Sequence, residues 1–418
     1  MASATDVPEV GSTIAGLEIL RAGAEGVAVA RHPDGRVVLV RHALPGELVD
    51  VTVSGAGKGG RFLRADATTV LRPSADRVAV PCPYAHPDGC GGCDLLFATP
   101  DAQRRWKSDV ATDQLRRIAG VDIHVDVEAV GSGAATGWRT RVRFTVDADG
   151  RLGMRGSRSH DVIEVATCAQ TVPAIAAIPL AEISLPGATS VVFAAGDAGV
   201  VAAVWPPQFA SDLAPQLPDD VSVVGVRGSS TVRHTLAERV WELPPDGFWQ
   251  VHADAATTLA TAVRTALAPR PGDHVLDLYA GAGLFAAVVA DDLGPGGRID
   301  AVETSEAAVL SGAEALADVA TLHWHVDDVA TWLRDRQSPR RADVVVLDPP
   351  RTGAGVDVIK RCIDRAPRTI VYVACDVATF ARDLKAATEL GWRLTQLRAF
   401  DLFPSTAHVE LVATLQPA

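Results

Sequence analysis

Residues Val275–Ala286 read VLDLYAGAGLFA. An apolar run carries Asp277, then a glycine-rich turn, then an Ala-rich run of helical character. This is the pattern of a strand, a tight turn and a helix. Glycines at 281 and 283 let the backbone pass close to a ligand, and a helix N-terminus facing that ligand favours polar or anionic groups. Alone, a G-x-G turn serves many nucleotides.

The surroundings of this turn decide the fold. From about Asp246 onward, HVLDLYAG, RIDAVETS, ADVVVLDPP and TIVYVAC are apolar runs that end in polar or glycine residues, with Ala-rich helical segments between them. Alternating strand and helix predicts an α/β doubly wound parallel sheet of Rossmann type. Such sheets bind ligands beyond the carboxyl ends of their strands. Here Glu303, Asp348 and Cys375 fall at those ends. Glu303, about twenty residues past the turn, suits the ribose hydroxyls of NAD or of S-adenosylmethionine. Two features separate these cofactors. Ala286 takes the third position of the dinucleotide fingerprint, a tolerated variant. LDPPRTG at a later strand end is a methyltransferase feature with no use in a dehydrogenase, and its two prolines stiffen the loop that carries Asp348.

Cysteine 375 ends the strand-like IVYVAC run. Cysteine is often a small core residue. A methyltransferase acting on nitrogen or oxygen has no use for it, because those acceptors already carry lone pairs. Carbon 5 of a pyrimidine is different. A thiolate that adds to carbon 6 creates an enolate, which makes carbon 5 nucleophilic. A base must then remove the carbon 5 proton. Glu410, in the apolar DLFPSTAHVELV run, is the candidate base.

The rest of the chain points to other units. Residues 9–72 contain short alternating runs with frequent glycine, which predicts a small OB-like β-barrel. PDG at Pro33–Gly35 marks a turn within it. Lys58, Arg61 and Arg64 lie in a segment without acids, suited to a solvated loop or a nucleic-acid contact. Residues 78–245 form a central α+β unit, opening with a Pro- and Cys-rich stretch and an amphipathic helix over Asp101–Ala119. Arg139, Arg141 and Arg143 alternate with apolar residues and so share one strand face. Residues 246–418 form the sheet domain.

The chain has 418 residues, 48% of them hydrophobic and 22% charged, with a formal net charge of −12. Such a balance argues against nonspecific coating of nucleic acid, which needs positive charge. It leaves room for a basic groove on an acidic body. Arginine far outnumbers lysine, as phosphate contacts or a GC-rich genome would produce. No apolar run approaches membrane-spanning length and no secretory signal is visible, so a cytoplasmic location is expected.

Six cysteines are present. Cys82, Cys90 and Cys93 form C-x7-C-x2-C, and Cys168 follows later. Clustered thiolates in a reducing compartment bind metal more often than they form disulfides. Spacing alone admits zinc or an iron–sulfur cluster, and chemistry alone favours zinc. Cys362 in VIKRCIDRA reads as a core residue.

FWQVHADA, DLYAGAGLFA, LDPPRTGAG, ACDVATFARDL and DLFPSTAHVELV together resemble the RNA 5-methyluridine (uracil-C5) methyltransferase family, in the family's order. EGVAVAR and ALPGELV are similar to its RNA-binding TRAM barrel, so the resemblance spans nearly the whole chain. It implies a class I methyltransferase domain with Cys375 as nucleophile and Glu410 as general base. Gln250, Tyr279, Gly281, Glu303, Asp328 and Asp348 fall at S-adenosylmethionine-contacting positions, and Arg351 falls beside the target base. It also implies that Cys82, Cys90, Cys93 and Cys168 hold a [4Fe–4S] cluster. The chain departs from the family pattern at Val377, His252 and Leu284, and in a longer first cysteine gap. The implied substrate is a uridine of 23S rRNA, with a tRNA T-loop uridine as the alternative, flipped out of its stack. Phe62 and Trp138 are the aromatic candidates for stacking on RNA, and core packing is the competing role for each. A monomer is expected. Two competing readings are an exocyclic-amine methyltransferase, which leaves Cys375 idle, and an RNA-binding protein with a non-catalytic methyltransferase domain.

Overall fold

The structure is a computed structural model that describes residues 7–418 except Arg158; the side chain of Lys58 also lies outside the described residues. Five strands, Thr13–Ala22, Ala28–Arg31, Val37–Arg41, Leu48–Ala56 and Phe62–Arg72, close into a barrel. Alternation drives the closure: Val38, Val40, Val49, Val51 and Val53 point inward and are buried, while their neighbours face out. The PDG turn is present, with Gly35 at φ +92° and the chain closed by His32 N–H donating to Arg36 O at 2.8 Å.

A six-stranded sheet follows, in the order Ser222–Val223, Gly199–Trp205, Ser190–Gly196, Arg141–Val146, Leu152–Arg155, Val162–Glu164. Phe144 and Phe193 meet edge-on at 6.1 Å in its core. The three arginines expected on one strand face do separate work. Arg143 lies over the Trp205 ring at 4.7 Å, Arg141 donates to Gly247 O, and Arg139 lies over Trp138 at 5.0 Å, just before the strand begins. Trp138 is buried and stacks on His252 at 5.7 Å, so of its two expected roles it takes the core one.

The C-terminal sheet has eight strands in the order Leu322–Val326, Arg298–Glu303, His274–Leu278, Val344–Leu347, Thr369–Ala374, Glu410–Pro417, Trp392–Phe400, Val127–Glu128. The first five are mutually parallel, and Glu410–Pro417 runs antiparallel to its neighbours. Apolar cores fill both faces, because parallel strands are covered by helices on both sides. Cys362 is fully buried in one of them.

The chain between Pro100 and Glu128 ties these bodies together. The helix Pro100–Gln114 has Thr99 as its N-cap, accepting from Ala102 N–H, and a wider turn continues it to Ala119. Trp106 of this helix donates to Gly23 O of the barrel at 3.0 Å. Ala111 and Leu115 enter the core of the C-terminal sheet, and Val127–Glu128 adds its edge strand. Lys107 is buried against Asp401, with Nζ 2.5 Å from Oδ1, and also donates to Phe403 O at 3.0 Å.

Candidate active site

The glycine turn is built by backbone strain in the right places. Tyr279 has φ +63°, Gly281 +56° and Gly283 +77°, so three left-handed residues in five fold the chain back to start the helix Leu284–Leu293. Leu284, a departure from the family pattern, is buried against the sheet. Glu303, at the end of the next strand, accepts from Gly281 N–H at 2.9 Å through one carboxylate oxygen. Its other oxygen accepts from Ser305 N–H at 2.8 Å. The glycine turn and the acidic strand end are thus one unit.

Asp277 is buried and accepts from Ala286 N–H at 2.9 Å through Oδ2, while its Oδ1 has no partner. Burial and the nearby Asp348 and Glu303 push its carboxyl up to about 8. Burial and Glu303 push Asp348 up to about 7. A sealed turn with three converging carboxyl groups and an unpartnered oxygen fits a ligand that brings positive charge and hydrogen-bond donors. S-adenosylmethionine answers that description, with positive charge on its sulfonium and both charge and donors on its amino group.

The other expected cofactor residues surround this centre. Gln250 is half-buried two residues beyond Phe248, whose exposed ring lies 3.9 Å from where a side chain on Gly281 would start. Asp328 caps the helix Val329–Arg334 by accepting from Thr331 N–H at 2.9 Å, and its charge reaches Tyr279.

Cys375 and Glu410 come together by strand pairing. The strands Thr369–Ala374 and Glu410–Pro417 pair Ala374 with Leu411. One step further along the same antiparallel register sets Cys375 opposite Glu410. Glu410 is 4% exposed, and its carboxyl is raised well above the ordinary range by burial and by Asp348, against the pull of Arg351. Burial, Glu410 and Asp348 push the Cys375 thiol up to about 11, again opposed by Arg351. So a thiol, two acids and one arginine lie within electrostatic reach of one another at the strand ends.

The arginine loop is fixed from below. Buried Asp383 accepts from Ala354 N–H at 2.9 Å, Gly355 N–H at 3.1 Å and the Tyr372 hydroxyl at 2.8 Å. Thr379 donates through its hydroxyl to Arg351 O at 3.1 Å. Arg351 reaches His408 at 3.2 Å, and burial holds His408 down to about 4, so its ring is neutral near pH 7. Val377, where the family has proline, opens the helix Val377–Glu389 and is buried. Asp383 and His408 carry no sequence signal beyond a polar residue among apolar ones.

Residues 337–417 match the tRNA (Uracil-5-)-methyltransferase family, and residues 245–372 match the methyltransferase small domain. An uncharacterized RNA methyltransferase of Streptomyces coelicolor is 40% identical over 415 residues, covering 94% of this chain and 90% of that one. The 23S rRNA (uracil(1939)-C(5))-methyltransferase RlmD of Chromohalobacter salexigens is 32% identical, covering 97% of this chain and 90% of its own. This chain belongs to the RNA uracil-C5 methyltransferase family. The solved tRNA (uracil-54, C5)-methyltransferase of Pyrococcus abyssi, in complex with S-adenosyl-L-homocysteine, shares the fold. Its TM-score is 0.69 at 22% identity, over 96% of this chain and 99% of that one. The enzyme is therefore an S-adenosylmethionine-dependent RNA methyltransferase.

The methyltransferase carries its other thiols elsewhere. Among the described residues, no three His, Cys, Asp or Glu side chains converge as a ready metal-binding group. Nevertheless Cys82, Cys90, Cys93 and Cys168 all line one cavity, together with Arg139, Met154 and Gln170. All four are free thiols. Burial above all, and then the other thiols, push Cys93 up to about 12. Gln170 Nε2 donates to Cys93 Sγ at 3.2 Å, while Gln170 Oε1 and Arg139 Nε are buried without partners. Four thiols around one cavity make, once deprotonated, a donor set that fits a metal centre, and the Arg139 guanidinium and the Gln170 amide N–H offset the charge of the thiolates. No helix among the described residues is long and apolar enough to cross a membrane.

Proposed function

We propose that this RNA uracil-C5 methyltransferase forms 5-methyluridine in 23S rRNA through a covalent adduct on Cys375. The observation that carries the reading is the strand register that sets a thiol opposite a buried carboxyl. S-adenosylmethionine supplies an electrophilic methyl group on a sulfonium. Around it, Glu303 takes the ribose hydroxyls, while Asp348, Tyr279, Gly281, Gln250 and Asp328 line the remainder of the site. Cys375 is a thiol in the free protein, because burial above all, and then two acids, oppose its ionisation. Its pKa falls when positive charge enters between those acids, and its proton leaves to solvent. The thiolate adds to carbon 6 of a flipped uracil, and the C5=C6 electron pair moves toward O4 as an enolate. Arg351 faces that oxygen side. Carbon 5 then takes the methyl group. Glu410 removes the carbon 5 proton, the C–H pair reforms the double bond, and the C6–S bond breaks to return the thiolate.

Residues 9–72 serve as a TRAM-like RNA-holding barrel, residues 78–245 as a cluster-bearing unit and residues 246–418 as the catalytic domain. Cys82, Cys90, Cys93 and Cys168 would hold a [4Fe–4S] cluster, which staples the central unit and takes no part in methyl transfer. Large-subunit rRNA is favoured by the relative from Chromohalobacter, a 23S rRNA methyltransferase by name, which this chain matches over nearly its full length. The protein acts as a monomer in the cytoplasm.

The test uses transcripts of 23S rRNA and of tRNA containing 5-fluorouridine, incubated with enzyme and S-adenosylmethionine. The fluorine cannot leave as a cation, so the adduct persists. A denaturation-resistant complex on 23S rRNA, lost in Cys375→Ala, is expected. A complex on tRNA alone would reassign the substrate. Methylation without any complex would overturn the covalent route.

A further inference from the structure

The segment that carries the cysteine pair Cys90 and Cys93 continues into Asp94, Leu95 and the helix Pro100–Gln114. Side chains of this segment grip the loop Asp401–Val409, which leads into Glu410. Ala407 N–H donates to the Asp94 carboxylate at 2.9 Å. Ser405 N–H donates to Gln103 Oε1 at 2.7 Å, and the Asp94 and Leu95 N–H groups both donate to Ser405 O, at 2.8 and 2.9 Å. Lys107 holds the loop's first residue, Asp401, and also Phe403 O. Ser405 is buried at φ +64°, a left-handed conformation that a non-glycine residue keeps only when its surroundings over-determine it.

The grip matters because of where the ladder ends. Regular pairing stops at Ala374 and Leu411, so Cys375 and Glu410 sit at its open end. On its other side Glu410 pairs with Phe400, the last pair of that ladder, so the loop Asp401–Val409 joins the two residues of this pair and what holds the loop sets the end of the strand that carries Glu410. The barrel closes on the same residue: a side chain on Gly26, at φ +69°, would start 2.5 Å from Asp94 Cβ.

We propose that Asp94 is a positioning residue for the carbon 5 deprotonation step, holding the Glu410 loop from the end of the cysteine segment. The inference rests on Glu410 acting as the base. Loss of the Asp94 carboxylate frees Ala407 N–H, loosens the loop and slows proton removal while leaving thiolate addition intact. The enzyme should then stall after methyl transfer, with the Cys375–C6 bond formed and the carbon 5 proton still in place.

The experiment mixes full-length enzyme, S-adenosylmethionine and an ordinary, fluorine-free 23S rRNA transcript. It reads turnover and denaturation-resistant complex side by side. Asp94→Ala, which keeps the Cβ beside Gly26, should lose roughly 10- to 100-fold in turnover, as a misplaced catalytic group does, and should accumulate complex. Asp94→Asn keeps an acceptor for Ala407 N–H and should restore turnover and remove the complex. Glu410→Gln is the reference and should accumulate the most. Wild-type turnover in Asp94→Ala, or loss of turnover without complex, overturns the proposal. If Asp94→Ala does not fold, Gly26→Ala pushes on the same carboxyl from the barrel side; it must accumulate complex or the proposal falls. Absence of complex in Glu410→Gln sinks the base assignment itself, a separate failure.

Discussion

The protein has two sulfur sites, and the same physics treats their thiols alike. In the four-cysteine cavity, burial and neighbouring thiols raise Cys90, Cys93 and Cys168, and Arg139 draws Cys90 and Cys168 the other way. At the end of the strand Thr369–Ala374, burial and two carboxyl groups raise Cys375, and Arg351 opposes them. What differs is the company. Four thiols around one cavity make a closed donor set suited to a permanent guest. One thiol beside two acids makes an open arrangement suited to a guest that comes and goes. Burial raises the thiol pKa at both sites as it does at the core residue Cys362, so the raised value alone does not tell a reactive thiol from an inert one; the neighbours do.

The sharpest way to break this comparison is to remove one sulfur from each side. Cys375→Ala should abolish methylation and the fluorouridine complex while leaving bound metal unchanged by elemental analysis. Cys93→Ala should do the reverse for metal, losing it together with thermal stability. If either change affects the other site's readout first, the two sites are not independent.

The joint between the sites comes next. Lys107 and Asp401 are both buried, so truncating Lys107 to Ala strands a carboxylate and should cost about 3–5 kcal/mol in chemical denaturation. A loss below about 1 kcal/mol would mean that water reaches the pair.

The open site has a pH signature. With its thiol near 11, Cys375 in the free enzyme should react with iodoacetamide about tenfold faster for each pH unit raised below that value. Glu410→Gln removes one charge that holds the thiol protonated. The whole profile should move to lower pH, and alkylation at pH 8 should speed up. An unmoved profile would separate the two residues electrostatically. The smallest effect is a control: Arg105 and Asp76 pair at 2.6 Å but are both well exposed, so Arg105→Ala should cost less than about 1 kcal/mol.

How much of this was legible in the sequence varies with the range of the interaction. The parallel sheet was legible because each strand is a short apolar run closed by a glycine or a charged residue, and those closings are the site. Glu303 and Asp348 stood out for that reason. Cys375 and Glu410 were legible as chemistry, but their juxtaposition rests on pairing between strands separated by 35 positions in the chain, and no local pattern encodes that register. The segment Pro100–Glu128 read as part of the middle unit. Its helix packs on the barrel and the C-terminal sheet instead, and its edge strand Val127–Glu128 is two residues long, too short for any alternation to show. Asp94, Gln103 and Lys107 looked like ordinary polar residues because their partners lie some 300 positions away. Trp138 shows the converse: an aromatic beside an arginine suggests a stacking platform, and only His252 stacked against it reveals a core residue.

Asp383 has one more consequence. It joins the loop behind Arg351 to the helix Val377–Glu389, and that helix begins two residues after Cys375. The backbone that leads out of Cys375 and the backbone that carries Arg351 are thus tied together. A shift of that helix therefore carries the loop's backbone with it, while the exposed Arg351 side chain keeps its own rotamer freedom.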